Sequence, residues 1–152
     1  QTYLKKGYSK SWVNQRLKSI EVRKKLTNEW KERGMKEGLE YAILTDEISK
    51  AWAGKSVKQY KKFKGLKKQN LRDNMTNLEL VLNMLAEATT TEISKEKKPN
   101  TFSESKNIAR QGGTIAGNAR KEIEEKTGKN VISPLNAKEL GEKNADEENE
   151  LE

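Results

Sequence analysis

The chain has 152 residues, 32% of them apolar and 36% charged, with a formal net charge of +8 and neither histidine nor cysteine. Those proportions allow one domain with a modest core and wide solvated helix faces. They exclude disulfides, thiolate or imidazole metal sites, cysteine nucleophiles and every histidine-based triad. No apolar run approaches the roughly 20 residues that cross a bilayer, and no signal peptide is visible, so a cytoplasmic protein is expected. The charge is uneven: residues 1–75 hold 20 Lys+Arg against 8 Asp+Glu, and residues 76–152 hold 11 against 15. A basic half joined to a mildly acidic one suits a polyanion or an acidic protein surface.

In chain order, Ser9 or Ser11 opens a long helical pattern that runs to about Arg33. Trp12, Val13, Leu17 and Ile20 lie roughly on one side, and Val22, Leu26 and Trp30 on a rotated stripe. With no glycine or proline from Lys10 to Lys31, one continuous helix is favoured over a bend at Thr27. Gly34 and Gly38 then mark a loop.

The stretch from Tyr41 to Lys68 reads as two short helices joined at Gly54. Thr45 or Asp46 caps the first, whose apolar face is Ile48, Ala51 and Trp52. Ser56 caps the second, which carries Val57, Tyr60 and Phe63 on its apolar face. Lys55, Lys58, Lys61, Lys62, Lys64, Lys67 and Lys68 surround these residues with no acid among them. The spacing is that of a helix-turn-helix, whose second helix offers its polar side to a nucleic-acid groove. An ordinary helical hairpin with a solvated lysine face is the blander alternative. On the first reading, Lys58, Gln59 and Lys62 lie nearest a groove or phosphate row. Lys55, Lys61, Lys64, Lys67, Lys68 and Arg72 complete the cationic surface. Such contacts position a protein without reading bases, so weak sequence preference is expected.

Thr76 and Glu79 have the spacing of a capping box at the start of a further helix. Its main stripe is Leu78, Val81, Leu82, Leu85 and Ile93, with Leu80 and Met84 opposite, which makes it the expected centre of the domain. Pro99-Asn100 ends it. Helical spacing resumes at Ile108 and continues through Gly112-Gly113 to Ile123. Two glycines inside a helix cost roughly 1 kcal/mol each relative to alanine, and close approach of a neighbouring helix at Gly112 would offset that. The competing reading is a phosphate-cradling loop, GGTIAG, at a helix N-terminus, although the GK[ST] of a P-loop is missing. Gly128 reads as a helix stop, residues 129–132 as a short extended piece, and Ser133-Pro134 as the start of one more short helix. Residues 141–152 form an acidic tail with few apolar residues and are expected to be disordered. Its last pair, Leu151-Glu152, has the form of a vector scar.

An enzyme built from this chain would have to rely on Asp, Glu, Lys, Ser, Thr or Tyr. Glu29-Trp30-Lys31 and Glu104-Ser105-Lys106 match half of a common nuclease signature, but both fall in helical patterns rather than on a strand. Adjacent acids such as Asp46-Glu47 or Glu124-Glu125 point to different sides of a helix. No catalytic site, metal site or cofactor is therefore expected, and a nuclease is the most distant of the readings.

Four segments carry a family likeness: LTNEWKERG, YAILTDEISKA, KGLKKQNLRDNMTNLELVLNMLAEATTTEISK and GGTIAGNARKEIEEKTGKNVIS. In consistent order, from about Tyr8 to Asn136, they resemble the region that follows the BRO-type N-terminal domain in DinD-like proteins. These are the DNA-damage-inducible protein D family and related prophage antirepressor-like proteins. The resemblance implies a prokaryotic or prophage protein of the SOS response. It also implies that residues 1–140 are the helical C-terminal domain of a larger protein. Interference with RecA-type recombinase–DNA filaments is associated with such proteins, and DNA binding with BRO-type domains. No catalytic residues are defined for this region, so none carries over.

The expected fold is all-α, a bundle of five or six helices around Thr76–Lys95 with a helix-turn-helix-like hairpin. The expected function is non-enzymatic binding of DNA, of a recombinase–DNA filament or of a phage repressor. The alternative is an antirepressor-type protein–protein module whose basic half meets an acidic partner. Oligomeric state is not legible in the sequence.

Overall fold

The computed structural model describes residues 2–135 of the chain. They form an all-helical bundle: α1 (Thr2–Lys5), α2 (Lys10–Glu32), α3 (Leu39–Ala53), α4 (Val57–Phe63), α5 (Asn77–Lys97) and α6 (Phe102–Thr127), with a 3-10 turn at Arg72–Asn74. Residues 131–135 are bent rather than helical. The rest of the helix expected from Ser133, and the acidic stretch 141–152, lie outside the described residues. Among the described residues no helix is long and apolar enough to cross a membrane.

Most helix ends follow from local chemistry. The Ser9 hydroxyl accepts the Trp12 N–H at 3.2 Å, and α2 then runs unbroken to Glu32. Ser56 and Gln59 form a full capping box at α4, as Thr76 and Glu79 do at α5. Gly54 adopts the left-handed conformation that stops α3 and lets α4 follow after two residues. The start of α3 differs from expectation. It begins at Leu39, after Gly38 at φ 83°, rather than at Thr45 or Asp46. Both of those residues sit within the helix, where Thr45 donates to the Tyr41 carbonyl at 2.7 Å. Asp46 instead accepts the Val57 N–H at 2.9 Å, capping α4 from the neighbouring helix. The additional helix brings Leu44, fully buried, into line with Ile48 and Trp52.

The four long helices pack so that α6 lies against both α3 and α5, and α5 also packs on α2. Small residues make this possible. A Cβ at Gly112 would collide with the Thr90 hydroxyl and stand 2.8 Å from the Thr90 nitrogen. One at Gly113 would stand 2.6 Å from the Ala51 Cβ, and one at Gly117 would overlap the Ala51 carbonyl. The glycines are thus contact points of a helix threaded between two others, and GGTIAG, in mid-helix, offers no free N-terminal N–H groups to a phosphate.

The inward face of α5 is the largest departure. Leu80 and Leu82 are buried, whereas Leu78, Val81 and Leu85 are exposed at 41%, 41% and 39%. Glu79, Asn83, Glu87, Thr90, Thr91 and Ser94 take the interior positions. In α2, Leu17 and Ile20 likewise face solvent while Arg16, Ser19 and Glu29 are buried. Polar groups replace the expected apolar stripes because each finds a partner, Thr90 and Thr91 on carbonyls of their own helix and others across the interface. Glu29 accepts the Ser94 hydroxyl at 2.6 Å, and Arg16 reaches Asp73 at 2.7 Å. Pairing of this kind offsets the desolvation that an isolated buried polar group would suffer.

Candidate nucleic-acid interface

The lysine run folds into three environments. Lys58 and Lys61 project from α4, Lys67 follows it, and all three border one groove with Arg23 of α2 and Thr45, Asp46 and Val57 at the α3–α4 junction. Among these lining residues Asp46 is the one carboxylate, and it is already turned to the Val57 N–H. No ion pair joins Lys58, Lys61 or Lys67 to a carboxylate of the described residues. Lys62 and Lys68 are exposed but stand outside the groove. Lys55 lies on the other flank of α4, its ammonium 4.6 Å from the centre of the Phe63 ring.

Lys64 departs from the expected surface. Its side chain is completely buried, 2.8 Å from Glu79 Oε1, and it donates to the Ser133 and Leu135 carbonyls at 2.7 and 2.6 Å. The Tyr60 hydroxyl donates to the other Glu79 oxygen. Lys64 therefore ties the end of α4 to α5 and to residues 133–135, and it cannot track a phosphate row. Its position one turn after Tyr60 turns it inward, onto the buried face of α4. Gln59 is also committed locally, since its amide oxygen accepts the Ser56 N–H at 2.8 Å in the capping box.

Behind the groove, sharing Thr45, Val57 and Lys61 with it, lies a cavity of about 160 Å³ that reaches Glu87 on α5. Arg72 faces this cavity rather than the open surface. Its Nη2 donates to Glu87 at 2.9 Å, and Arg23 donates to the same oxygen at 2.8 Å and to the Thr45 hydroxyl at 2.8 Å. Two guanidiniums thus share one buried carboxylate, leaving the cluster with an excess positive charge. The Arg72 Nε is buried with no hydrogen-bond partner among the described residues. Burial lowers the Arg72 pKa from its ordinary value while Glu87 opposes that shift. Groove and cavity together present five cationic side chains and two carboxylates. Their chemistry is that of an anion receptor.

Sequence reading missed Arg23, which lies far upstream in α2, and Asn83, which it did not single out. Neither bears a local signal of its place. The half-motifs read as nuclease-like are differently engaged: Glu29 is buried against Ser94, and Glu104 accepts the Asn100 N–H at 2.9 Å near the start of α6.

Comparison with known proteins places one family on this chain. The model of the DinD C-terminal domain matches residues 6–140. No curated protein matches, and no solved structure does.

Proposed function

The chain belongs to the DinD C-terminal domain family, and from that premise we propose that it is a non-catalytic, damage-related domain that binds DNA through the groove at α4. The observation that carries this reading is the convergence of Lys58, Lys61, Lys67 and Arg23 on one groove whose lysines form no ion pair among the described residues. Like charges held close together repel, and a phosphate row relieves that repulsion while releasing its own counterions. The acids of the two nuclease-like half-motifs have structural partners, Glu29 accepting the Ser94 hydroxyl and Glu104 the Asn100 N–H. Fluorescence anisotropy with labelled DNA at low and moderate salt tests the reading. Binding that weakens steeply with salt supports it, and a flat titration at low salt overturns it.

A second reading draws on a different surface. Leu78, Val81 and Leu85 form an exposed apolar row along α5, the kind of face that meets another protein. In that case the basic groove meets an acidic protein, such as a recombinase or a repressor, without DNA. Co-sedimentation with a recombinase in the absence of DNA, lost on Leu85→Glu, would favour it.

A further inference from the structure

The cavity behind the lysine groove has more than an electrostatic character. Its walls combine the apolar side chains of Ile48, Val57, Leu71 and Met75 with a polar end formed by Asn83 and Arg72. Its volume of about 160 Å³ is close to that of an engineered cavity of about 150 Å³ known to accept benzene, a single six-membered ring. Arg72 closes that end with its Nη2 given to Glu87 at 2.9 Å. The opening is shared with the groove through Thr45, Val57 and Lys61, so a group entering the cavity would hang from whatever lies along the lysines.

We infer that the cavity receives one unpaired pyrimidine base from single-stranded DNA whose phosphates follow Lys58, Lys61 and Lys67. This rests on the DNA-binding reading above and sharpens it. A base inside a duplex is stacked and paired, with its ring edges out of reach, whereas a single strand can turn one base outward at little cost. The flat faces of the ring would meet the apolar walls. The Asn83 amide, one N–H of which donates to Glu87 at 3.3 Å, offers its carbonyl oxygen and its second N–H to a pyrimidine edge. A fused purine exceeds the volume that suits one ring. The lysines would supply most of the affinity and the cavity a modest base preference.

The test uses the whole chain and fluorescence anisotropy. The probes are labelled strands that are abasic throughout, or abasic except for one thymine or one adenine, together with a blunt duplex. The single thymine should tighten binding by about tenfold, on the scale of burying one ring's apolar surface. The adenine should add little, and the duplex should bind no better than the bare abasic strand. Leu71→Phe, which narrows the cavity from a wall the groove does not share, should remove the thymine advantage while leaving the abasic affinity unchanged. Should that variant fail to fold, the strand comparison with the native chain still decides. Equal affinity with and without thymine, or an adenine effect as large, overturns the base receptor but leaves the DNA-binding groove intact. Absence of binding to every strand overturns the groove itself.

Discussion

Lys64 and Glu79 form an ion pair of 2.8 Å with both side chains shut off from solvent, the lysine just past the end of α4 closing on the capping glutamate of α5. Glu79 thereby serves two roles, since its carboxylate also accepts the Thr76 N–H at 3.1 Å. Above the Glu79 pKa of about 8, where both groups are charged, removing one partner leaves a buried charge uncompensated, which typically costs about 3–5 kcal/mol. Lys64→Ala should lower stability on that scale, whereas Lys62→Ala, on the exposed face, should stay within about 0.5 kcal/mol. Urea unfolding of the two variants against the parent measures both. The double variant Lys64→Met/Glu79→Leu should recover much of the loss, because apolar replacement of a whole buried pair is often neutral.

The same pair predicts how stability responds to pH. Burial pushes the Glu79 carboxyl from about 4.5 up to about 8, and hydrogen bonds from the Thr76 and Ser133 backbones pull it back only in part. Between those values the folded protein holds a proton that the unfolded chain has lost. Stability contributed by Glu79 is therefore greatest at acidic pH and falls as pH rises from about 4.5 to about 8, by up to roughly 1.4 kcal/mol per pH unit. Urea midpoints should decline across that window, and Glu79→Gln, which keeps a neutral side chain throughout, should flatten the decline. A midpoint that rises with pH would mean that Lys64 holds the carboxylate ionised.

Along α6 the glycines should resist substitution despite their helical setting. Alanine in place of glycine gains roughly 1 kcal/mol of helix propensity where there is room. At Gly113 there is none, with Ala51 and the Ile48 carbonyl within 2.7 Å of the new Cβ. Overpacking of this kind costs about 1–3 kcal/mol before any gain is subtracted. Gly113→Ala and Gly117→Ala should both lower the melting temperature, while Thr114→Ala on the exposed face should leave it nearly unchanged. Melting followed by circular dichroism is sufficient.

Helices were legible in the sequence wherever a cap or a breaker set their ends: Ser9, Gly54, Ser56, Thr76 and Gly128 act as their chemistry suggests. The close approach at Gly112 was legible too, as a cost needing compensation. Which face turns inward was less so. Periodicity assigns apolar residues to the interior, but α5 buries Glu79 and Glu87 because Tyr60 of α4, Lys64 just after it, Arg23 of α2 and Arg72 of the 3-10 turn receive them. Those partners lie up to 64 residues away in sequence, and no local pattern announces them. For the same reason the lysine run showed its charge but not its division into a groove, a ring contact and a buried ion pair.

That correction makes α5 a sharp discriminator between pattern and packing. Leu82 is 4% exposed and Leu85 is 39% exposed, although both belong to one apolar stripe by spacing. Leu82→Ala should cost about 2–5 kcal/mol, the range for truncating a buried leucine. Leu85→Ala should cost well under 1 kcal/mol, as surface changes do. Comparable losses at both positions would show that Leu85 is covered in solution, favouring the protein-binding reading of that row.

The functional prediction separates the lysines by position rather than by number. Lys58, Lys61 and Lys67 border the groove, and Lys55, Lys62 and Lys68 do not. Both triple reversals to glutamate change net charge equally, so any difference between them reports geometry. Every ammonium that neutralises a phosphate of a single strand contributes about 0.7 to the slope of log affinity against log salt. Reversing the groove triplet should abolish measurable binding at moderate salt. The milder Lys→Gln triple at the same positions should lower the slope by about 2, the contribution of three lost contacts. The outer triplet should weaken binding modestly through the general field, without that change in slope. Circular dichroism should be unaltered in all of these variants, since none of the six ammoniums takes part in an ion pair among the described residues. Equal losses from the two triplets would mean that charge alone draws the polyanion and that the groove has no special place in binding it.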